Sequence, residues 1–403
     1  MIGPGGFHPN PAGDGLLAAL PRMPYRAPFL LCEIRAMSGS AFEYDRIGVD
    51  TGKAKSGLSV LARSINQTLK LRDESPLGRP AMGLGYYANV LQMPGGQGLA
   101  ISTDGVGTKL IVAQLAGRYD TVGIDLIAMN VNDVICVGAE PFAMVDYIAT
   151  GKVDDRAFEE LGRGLLAGSI DSAITIPGGE IAQVRELIQA HGDSQGLDLV
   201  GTAVGLVPWN AVNVGQNVAA GDVIVGLKAS GLHSNGYTLA RNVLLQKSGW
   251  KLDTRVPEFG CTVADEMLKP TKIYVRPVLE MLRSGIACNA LLHITGDGFC
   301  NINRITAAVG FVIDRLPEPG PVYQVIQKIG KIDDAEMFSV FNMGIGFCVV
   351  TPKSDADRVI AVAKKYGIDA SVIGYATSEH KKQIRLSQYG LIGGSDRLAL
   401  EKR

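Results

Sequence analysis

The sequence predicts an α/β (α+β) fold arranged in two lobes. Three observations carry that expectation. Strand-like and helix-like apolar patterns intermix along most of the chain. A polar, turn-rich stretch from Pro208 to Asp222 interrupts them, and the pattern restarts beyond it with the apolar run Val223–Leu227. The length of 403 residues fits two domains of about 100–200 residues each. The expected division is a leader over 1–43, a first domain over 44–210, a second over 211–390 and a tail over 391–403.

In the first lobe, Leu58, Leu61, Ile65 and Leu69 have helical spacing within 58–71. Tyr86–Leu91 and Leu99–Ser102 read as strands around the turn Pro94-Gly95-Gly96. Thr108–Leu115 reads as a helix, and Ile124–Val137 as a second one, apolar on most sides and therefore buried. A strand over Ala143–Ala149, a helix over Asp155–Asp171 and strands over Ile174–Pro177 and Leu199–Leu206 complete the lobe. The second lobe continues from Val223–Leu227 with a helix over Tyr237–Gln246 and another near Lys272–Ser284. Strands over Gly310–Ile313 and Gly346–Thr351, a helix over Ser354–Tyr366, and strands over Ser371–Ile373 and Gln383–Leu386 follow.

Composition narrows the function. Hydrophobic residues make up 46% and charged residues 20%, enough for a sizeable core and against wholesale disorder. A net charge of −1 leaves no electrostatic footprint for nucleic acid or an anionic membrane. No apolar run approaches the ~18 residues of a membrane span. The six cysteines (Cys32, Cys136, Cys261, Cys288, Cys300, Cys348) show neither CxxC nor zinc spacing, the pattern of reduced thiols in a cytoplasmic protein. Residues 1–36 are rich in Gly, Pro and Ala, with apolar runs too short for a secretory segment. Arg22, Arg26 and Arg35 hint weakly at a transit peptide, but an upstream-extended start or a disordered leader is the better fit.

Six polar, Gly-containing segments could carry chemistry. Ser102–Lys109 (STDGVGTK) lies between a strand and a helix. Its glycines permit close backbone approach, free amides at a helix start attract phosphate, and Asp104 is a hard oxygen donor for Mg²⁺. It matches neither Walker A nor GxGxxG, and a plain strand–turn–helix junction would look the same. Next, Asp125, Asn132 and Asp133 fall on one edge of an otherwise apolar helix. At about 100° per residue, Asp125 and Asn132 are about 20° apart and Asp133 about 80° from Asp125. Charge there is costly unless paired or metal-bound; the alternative is an N-cap and a solvated helix end. Pro177-Gly178-Gly179-Glu180 places a carboxylate on a turn after an apolar run. Ala229–Tyr237 holds His233 among Ser, Gly and Asn, suited to phosphate binding or proton transfer, although a lone His is often structural. His293–Phe299 and Phe341–Gly346 are weaker, since turns alone explain them.

Taken in order, these segments resemble the phosphoribosylformylglycinamidine cyclo-ligase (aminoimidazole ribonucleotide synthetase) family from about Tyr44 to Leu386. The family's TDGVGTK, GID-x-x-AM-x-VND and GAEP patterns match Thr103–Lys109, Gly123–Asp133 and Gly138–Pro141. Its DY pair matches Asp146-Tyr147, its SG-x-HSNGY pattern Ser230–Tyr237, and its GVD Gly48-Val49-Asp50. The resemblance implies a two-lobed synthetase-like fold whose first lobes pair into a β-barrel across a homodimer, with ATP near the seam. It implies phosphorylation of the formamide oxygen of formylglycinamidine ribonucleotide by ATP, then attack by an amidine nitrogen, loss of phosphate and closure of the imidazole ring. Carried over by residue, it assigns Asp104, Asp125 and Glu180 to Mg²⁺, and Gly105, Gly107, Thr108 and Lys109 to ATP phosphates. Asn132 and Asp133 would shape that pocket. Ser230, His233 and Asn235 would serve the substrate phosphate or proton transfer, and Gly296 and Asn342 the substrate side. His233, Asp104 and Lys109 are the expected catalytic set.

The chain departs from the common pattern at three places. Ile181–Glu186 follows the Gly-Gly-Glu segment where TAEMPG is usual, Asp297 breaks the usual TGGG, and Met343 replaces Cys in FNCG. These variants resemble a divergent, archaeal-like subgroup. Among related families, a thiamine-monophosphate kinase lacks the HSNGY loop. A selenophosphate synthetase carries a reactive Cys near its N-terminus, and no Cys lies between Cys32 and Cys136 here.

Overall fold

A computed structural model of the chain describes Glu43, Ile47 and residues 51–192, 194, 196–394 and 397–401. The expected leader apart from Glu43, the Gly48-Val49-Asp50 match and Cys32 lie outside the described residues.

The first lobe opens with helix α1 (Thr51–Leu69) and then builds one sheet around one central helix. Strands β1 (Asn89–Met93) and β2 (Gln97–Gly105) form a hairpin across Pro94-Gly95-Gly96, whose two glycines have φ of 75°. Helices α2 (Lys109–Ala116) and α3 (Val122–Cys136) follow, then β3 (Glu140–Thr150), α4 (Asp155–Ser172), β4 (Gly179–Gln183) and β5 (Leu197–Pro208). The strand order is β1-β2-β5-β3-β4, antiparallel except for the parallel β3–β4 pair. The strand expected at 174–177 shrinks to a single bridge from Thr175 to Ala143. Pro177 has no N–H to extend that ladder, and pairing starts again at Gly179.

Period-2 alternation gives this sheet two different faces. Ala100 and Ser102 of β2, Met144 and Ile148 of β3 and Leu199 and Ala203 of β5 are buried on the side of α3. The opposite face carries Leu99 and Ile101, Val145 and Tyr147, and Val200, Val204 and Leu206, all partly or largely exposed. Their registers, Val145 opposite Thr202 and Tyr147 opposite Val200, place them on one surface.

The second lobe contains β6 (Val223–Lys228), α5 (Tyr237–Arg241), the short pair β7 (Arg255–Val256) and β8 (Cys261–Thr262), α6 (Val263–Met267) and α7 (Val275–Arg283). Then come β9 (Ala290–His293), β10 (Gly310–Ile313), α8 (Pro321–Gly330), α9 (Asp334–Val340), β11 (Ile345–Thr351) and α10 (Ala356–Lys365). Strands β12 (Ala370–Thr377), β13 (Ile384–Leu386), β14 (Leu391–Gly393) and β15 (Leu398–Leu400) complete it. Eight strands form one sheet in the order β15-β14-β13-β10-β12-β6-β11-β9. Every residue of β11 is buried, as befits a central strand covered on both faces. The last two strands fall in the stretch expected to be a tail. The helix expected over 237–246 is α5 for five residues and then a π-helical turn, Asn242–Lys247.

Helix α3 is the axis of the molecule. It packs on β2, β3 and β5 of its own sheet, on α4, and on β9 and α7 of the second lobe. That explains a helix apolar nearly all round: 13 of its residues are buried. Its contact with α4 is backbone-close at Gly123, where a Cβ would lie 2.5 Å from the Leu165 nitrogen and 2.7 Å from the Leu161 oxygen. A Gly123→Ala substitution should therefore destabilise the protein by about 1–3 kcal/mol through overpacking, read as a lowered midpoint in urea denaturation.

Candidate active site

The polar edge of α3 faces the second lobe rather than solvent. Lys109, the first residue of α2, has its ammonium 2.7 Å from an Asp125 carboxylate oxygen, with both side chains fully buried. The same ammonium donates to the backbone carbonyls of His233 and Lys269. Asp125 also accepts from the backbone N–H of Thr271 at 2.7 Å and its hydroxyl at 2.6 Å. Two turns on, Asn132 donates to the Lys272 carbonyl and accepts from the Tyr274 N–H. Burial pushes the Lys109 ammonium below its ordinary pKa, opposed by the Asp125 carboxylate.

These contacts bear on three expectations. The three N–H bonds of the Lys109 ammonium meet three acceptor groups inside the protein, so none is directed at an ATP phosphate. Asp125 serves as the counter-charge of Lys109 and as an acceptor for Thr271, not as an open Mg²⁺ ligand. Asn132 shapes the junction of the lobes rather than an exposed pocket.

The remaining acids separate by sheet parity. Asp104 of β2 pairs with Gly201 of β5, on the face toward α3; a Cβ on Gly201 would lie 2.8 Å from the Asn130 side-chain nitrogen. Glu180 pairs with Tyr147 of β3 and is exposed on the opposite face. Asp104, Asp125 and Glu180 are thus not brought together. Among the described residues no group of three His, Cys, Asp or Glu side chains is placed to hold a metal ion.

Asp104 instead lies among groups from both lobes. Asn130 of α3 clamps its backbone, accepting from its N–H at 2.9 Å and donating to its carbonyl at 3.1 Å. Its carboxylate accepts from the Gly105 N–H at 2.8 Å. Burial raises the Asp104 carboxyl to about 6, and the neighbouring Asp133 carboxylate adds to the rise; the Gly105 N–H, His293 and Arg304 oppose it. Asp133 is itself held by Nδ1 of His293, the last residue of β9, at 2.8 Å. Arg304 stands near both, stacked 5.0 Å from the Tyr87 ring centroid and paired with Asp297 at 2.9 Å. The Tyr87 hydroxyl donates to the Asn301 carbonyl, closing a link from the first lobe to the second. Asn130, His293, Arg304 and Tyr87 were not singled out from the sequence. Asn130 is the variable position just before Val131-Asn132-Asp133 and His293 opens a Gly-rich loop, but nothing local marks Arg304 or Tyr87.

Three loops converge beside this group. Gly107 has φ of 70° and, with Thr108, is exposed at the start of α2, where amides lack intrahelical partners. The Thr108 hydroxyl lies 3.2 Å from that of Thr238 on α5. Gly296 lies against Asn235: a Cβ there would be 3.2 Å from the Asn235 side-chain oxygen. Ser230 is exposed and donates its hydroxyl to the Pro270 carbonyl. His233 adopts a left-handed φ of 62° and is buried. Its Nε2 accepts from the Ser230 N–H at 3.4 Å, which places the proton on Nδ1. Burial holds its pKa well below the usual value, with His293 and Lys109 adding to the fall, so the ring is neutral at pH 7. Asn342 is buried and bonded within the protein: it donates to the Gly231 carbonyl and accepts from the Tyr323 hydroxyl and the Gly344 N–H. It braces the His233 loop from behind instead of lining the substrate side.

The family model described as AIR synthase related protein, N-terminal domain, matches residues 85–207, and that for the C-terminal domain matches residues 219–387. A phosphoribosylformylglycinamidine cyclo-ligase of Methanocaldococcus jannaschii is 46% identical over 332 residues, 82% of this chain and 91% of that protein. Proteins of the same name from Methanococcus maripaludis and Methanobrevibacter smithii are 41% and 38% identical, over 86% and 85% of this chain and 97% and 96% of theirs. Among solved structures, a thiamine-monophosphate kinase from Stenotrophomonas maltophilia superposes with a TM-score of 0.54 at 18% identity, over 80% of this chain and 95% of that one. T. maritima PurL complexed with ATP gives 0.51 at 17%, over 78% of this chain and 44% of that one. These structures share the fold.

The Lys109–Asp125 pair makes a quantitative demand. Lys109→Met leaves a fully buried carboxylate without its cation and should cost about 3–5 kcal/mol, measured by chemical denaturation. Adding Asp125→Leu should recover a large part of that loss, because the uncompensated charge is gone.

Proposed function

The chain belongs to the phosphoribosylformylglycinamidine cyclo-ligase family, and from that premise we propose that it closes the imidazole ring of 5-aminoimidazole ribonucleotide in purine biosynthesis. Its substrates would be formylglycinamidine ribonucleotide and ATP, its other products ADP and phosphate. The observation that carries this reading is near-complete coverage of relatives bearing that one name, joined to a cleft where Asp104, Asp133, Arg304 and three Gly loops meet.

The chemistry suits such a cleft. A formamide oxygen is a poor leaving group and its phosphate ester a good one, so the protein must hold two nucleotides and withstand a build-up of negative charge. The exposed Gly107-Thr108 turn would meet ATP phosphates through its amides, with Gly105, whose N–H is taken by the Asp104 carboxylate, leaving room for their approach. Ser230 and Asn235 would contact the substrate across the seam. His233, neutral at pH 7, would take part in proton transfer only once its Nε2 is released from the Ser230 N–H. The crowding of Asp104 against Asp133 fits a divalent cation, and Asp104 would hold Mg²⁺ jointly with nucleotide oxygens. Bound there, Mg²⁺ would neutralise charge on the transferring phosphoryl group.

The outer face of the first-lobe sheet supports a homodimer. Leu99, Ile101, Val145, Val200, Val204 and Leu206 form a sheet surface that no other described residues cover, and such surfaces mark interaction sites. A second copy placed face to face would close a barrel and bury it. Glu180 opens onto that same face, so any contact it makes with Mg²⁺–ATP would require the partner. No helix among the described residues is long and apolar enough to cross a membrane.

The deciding assay mixes purified protein with formylglycinamidine ribonucleotide, ATP and Mg²⁺ and scores diazotisable aminoimidazole. Product formed with one ADP per ring is expected; ADP release without the aminoimidazole would identify a kinase instead. Asp104→Asn should lower kcat on the order of 10²-fold or more while leaving the thermal melt in place. Val145→Glu combined with Leu206→Glu should convert dimer to monomer in sedimentation equilibrium.

A further inference from the structure

Arg304 has the properties of a ligand-binding residue that is internally occupied. It ends a 3-10 helix, Gly298–Arg304, which leads directly out of the loop containing Gly296 and Asp297. Its guanidinium is stacked on Tyr87, and Tyr87 is anchored through its hydroxyl to the Asn301 carbonyl. The group is therefore oriented before any ligand arrives. Its side chain is 27% exposed and that of Asp297 43%, so both border solvent in the cleft rather than the core. A guanidinium has five N–H donors. Among the described residues, only Asp297 takes a hydrogen bond from it, through Nη2. An exposed pair of this kind contributes little to stability, whereas a pre-oriented, under-used guanidinium is well suited to bidentate recognition of phosphate.

We propose that Arg304 receives a phosphate group of one of the two nucleotide substrates, and that Asp297 holds its place in the empty site. The proposal rests on the cyclo-ligase reading for the identity of those substrates. Binding would exchange one anion for another on the same cation, with no covalent change. Asp297 is then a specificity-determining residue: a weak monoanion fails to displace it, whereas a phosphate dianion bound at two donors does. The 5′-phosphate of formylglycinamidine ribonucleotide and the γ-phosphate of ATP share this chemistry.

The test has a binding arm and a kinetic arm. In the binding arm, inorganic phosphate is titrated into the intact protein and followed by ³¹P NMR line broadening. Asp297→Asn should tighten phosphate binding several-fold, Arg304→Met should abolish it, and Arg304→Lys should recover part of it. In the kinetic arm, KM is measured separately for ATP and for formylglycinamidine ribonucleotide. One of the two should fall several-fold in Asp297→Asn and rise at least tenfold in Arg304→Met, and that substrate is the one Arg304 holds. Thermal melts identify any variant that has lost its fold, and Asp297→Asn then carries the test alone. Unchanged phosphate binding and unchanged KM for both substrates in folded Asp297→Asn protein would overturn the proposal. Wild-type protein that binds phosphate through Arg304 but forms no aminoimidazole would overturn the cyclo-ligase reading and leave the phosphate site standing.

Discussion

The arrangement of the two lobes depends on one buried ammonium. Lys109 and Asp125 are both at zero exposure, and neither charge is tolerable in the interior without the other and without further hydrogen bonds. Asp125 finds its additional donors on Thr271, and Lys109 finds its additional acceptors on His233 and Lys269. All three belong to the second lobe. Closing the lobes in any other register would bury the same two charges with fewer partners. The pair therefore contributes less through its own strength than through the alternatives it makes unfavourable.

The same contact sets the chemistry-bearing loops against each other. Lys109 is the residue immediately after the exposed Gly107-Thr108 turn, and His233 belongs to the loop that carries Ser230 and Asn235. One bond from Lys109 to the His233 carbonyl therefore fixes the spacing between the amides proposed for ATP and the polar groups proposed for the substrate. The left-handed backbone at His233 is uncommon for a residue with a Cβ and is held from two sides, by that bond and by the Asn342 brace on Gly231. A rigid frame of this sort lets hydrogen-bond donors stand ready where charge develops, without reorganising at the moment of reaction.

Much of the fold was readable because its signals are local. The hairpin turn at 94–96, the all-round apolar α3 and the restart at Val223 each follow from residues within one element. Helices α8 and α9 were overlooked although their starts are marked, by Pro321 at the first turn and by Asp333 accepting from the Glu336 N–H. Strand β9 was hidden because four buried residues show no alternation. The site was harder. Asp104 stands out as an acid in a Gly loop between strand and helix, and Asp133 as a polar group on an apolar helix, but His293 and Arg304 beside them come from 160 or more positions away in the chain. Arg304 and Asp297 look like an ordinary loop-to-helix transition until the second lobe folds over Tyr87.

The acids show why recognition and role must be argued separately. Asp104, Asp125 and Glu180 share a residue type and a motif context, and that similarity suggests one cation. Geometry divides them by two simple rules. Side chains on a strand alternate between faces, so the register that puts Asp104 beside α3 puts Glu180 on the outer surface. A helix presents one edge to whatever packs on it, and the edge of α3 bearing Asp125 meets Lys109 of its own lobe and Thr271 of the second. Three carboxylates thus acquire three different surroundings: an interlobe cleft, an internal ion pair and an uncovered apolar sheet face. Only the first lies where the three loops of the proposed nucleotide site converge. Within a single copy of the chain, the charged groups beside those loops are Asp104, Asp133 and Arg304, while Lys109 and Asp125 tie the two lobes together.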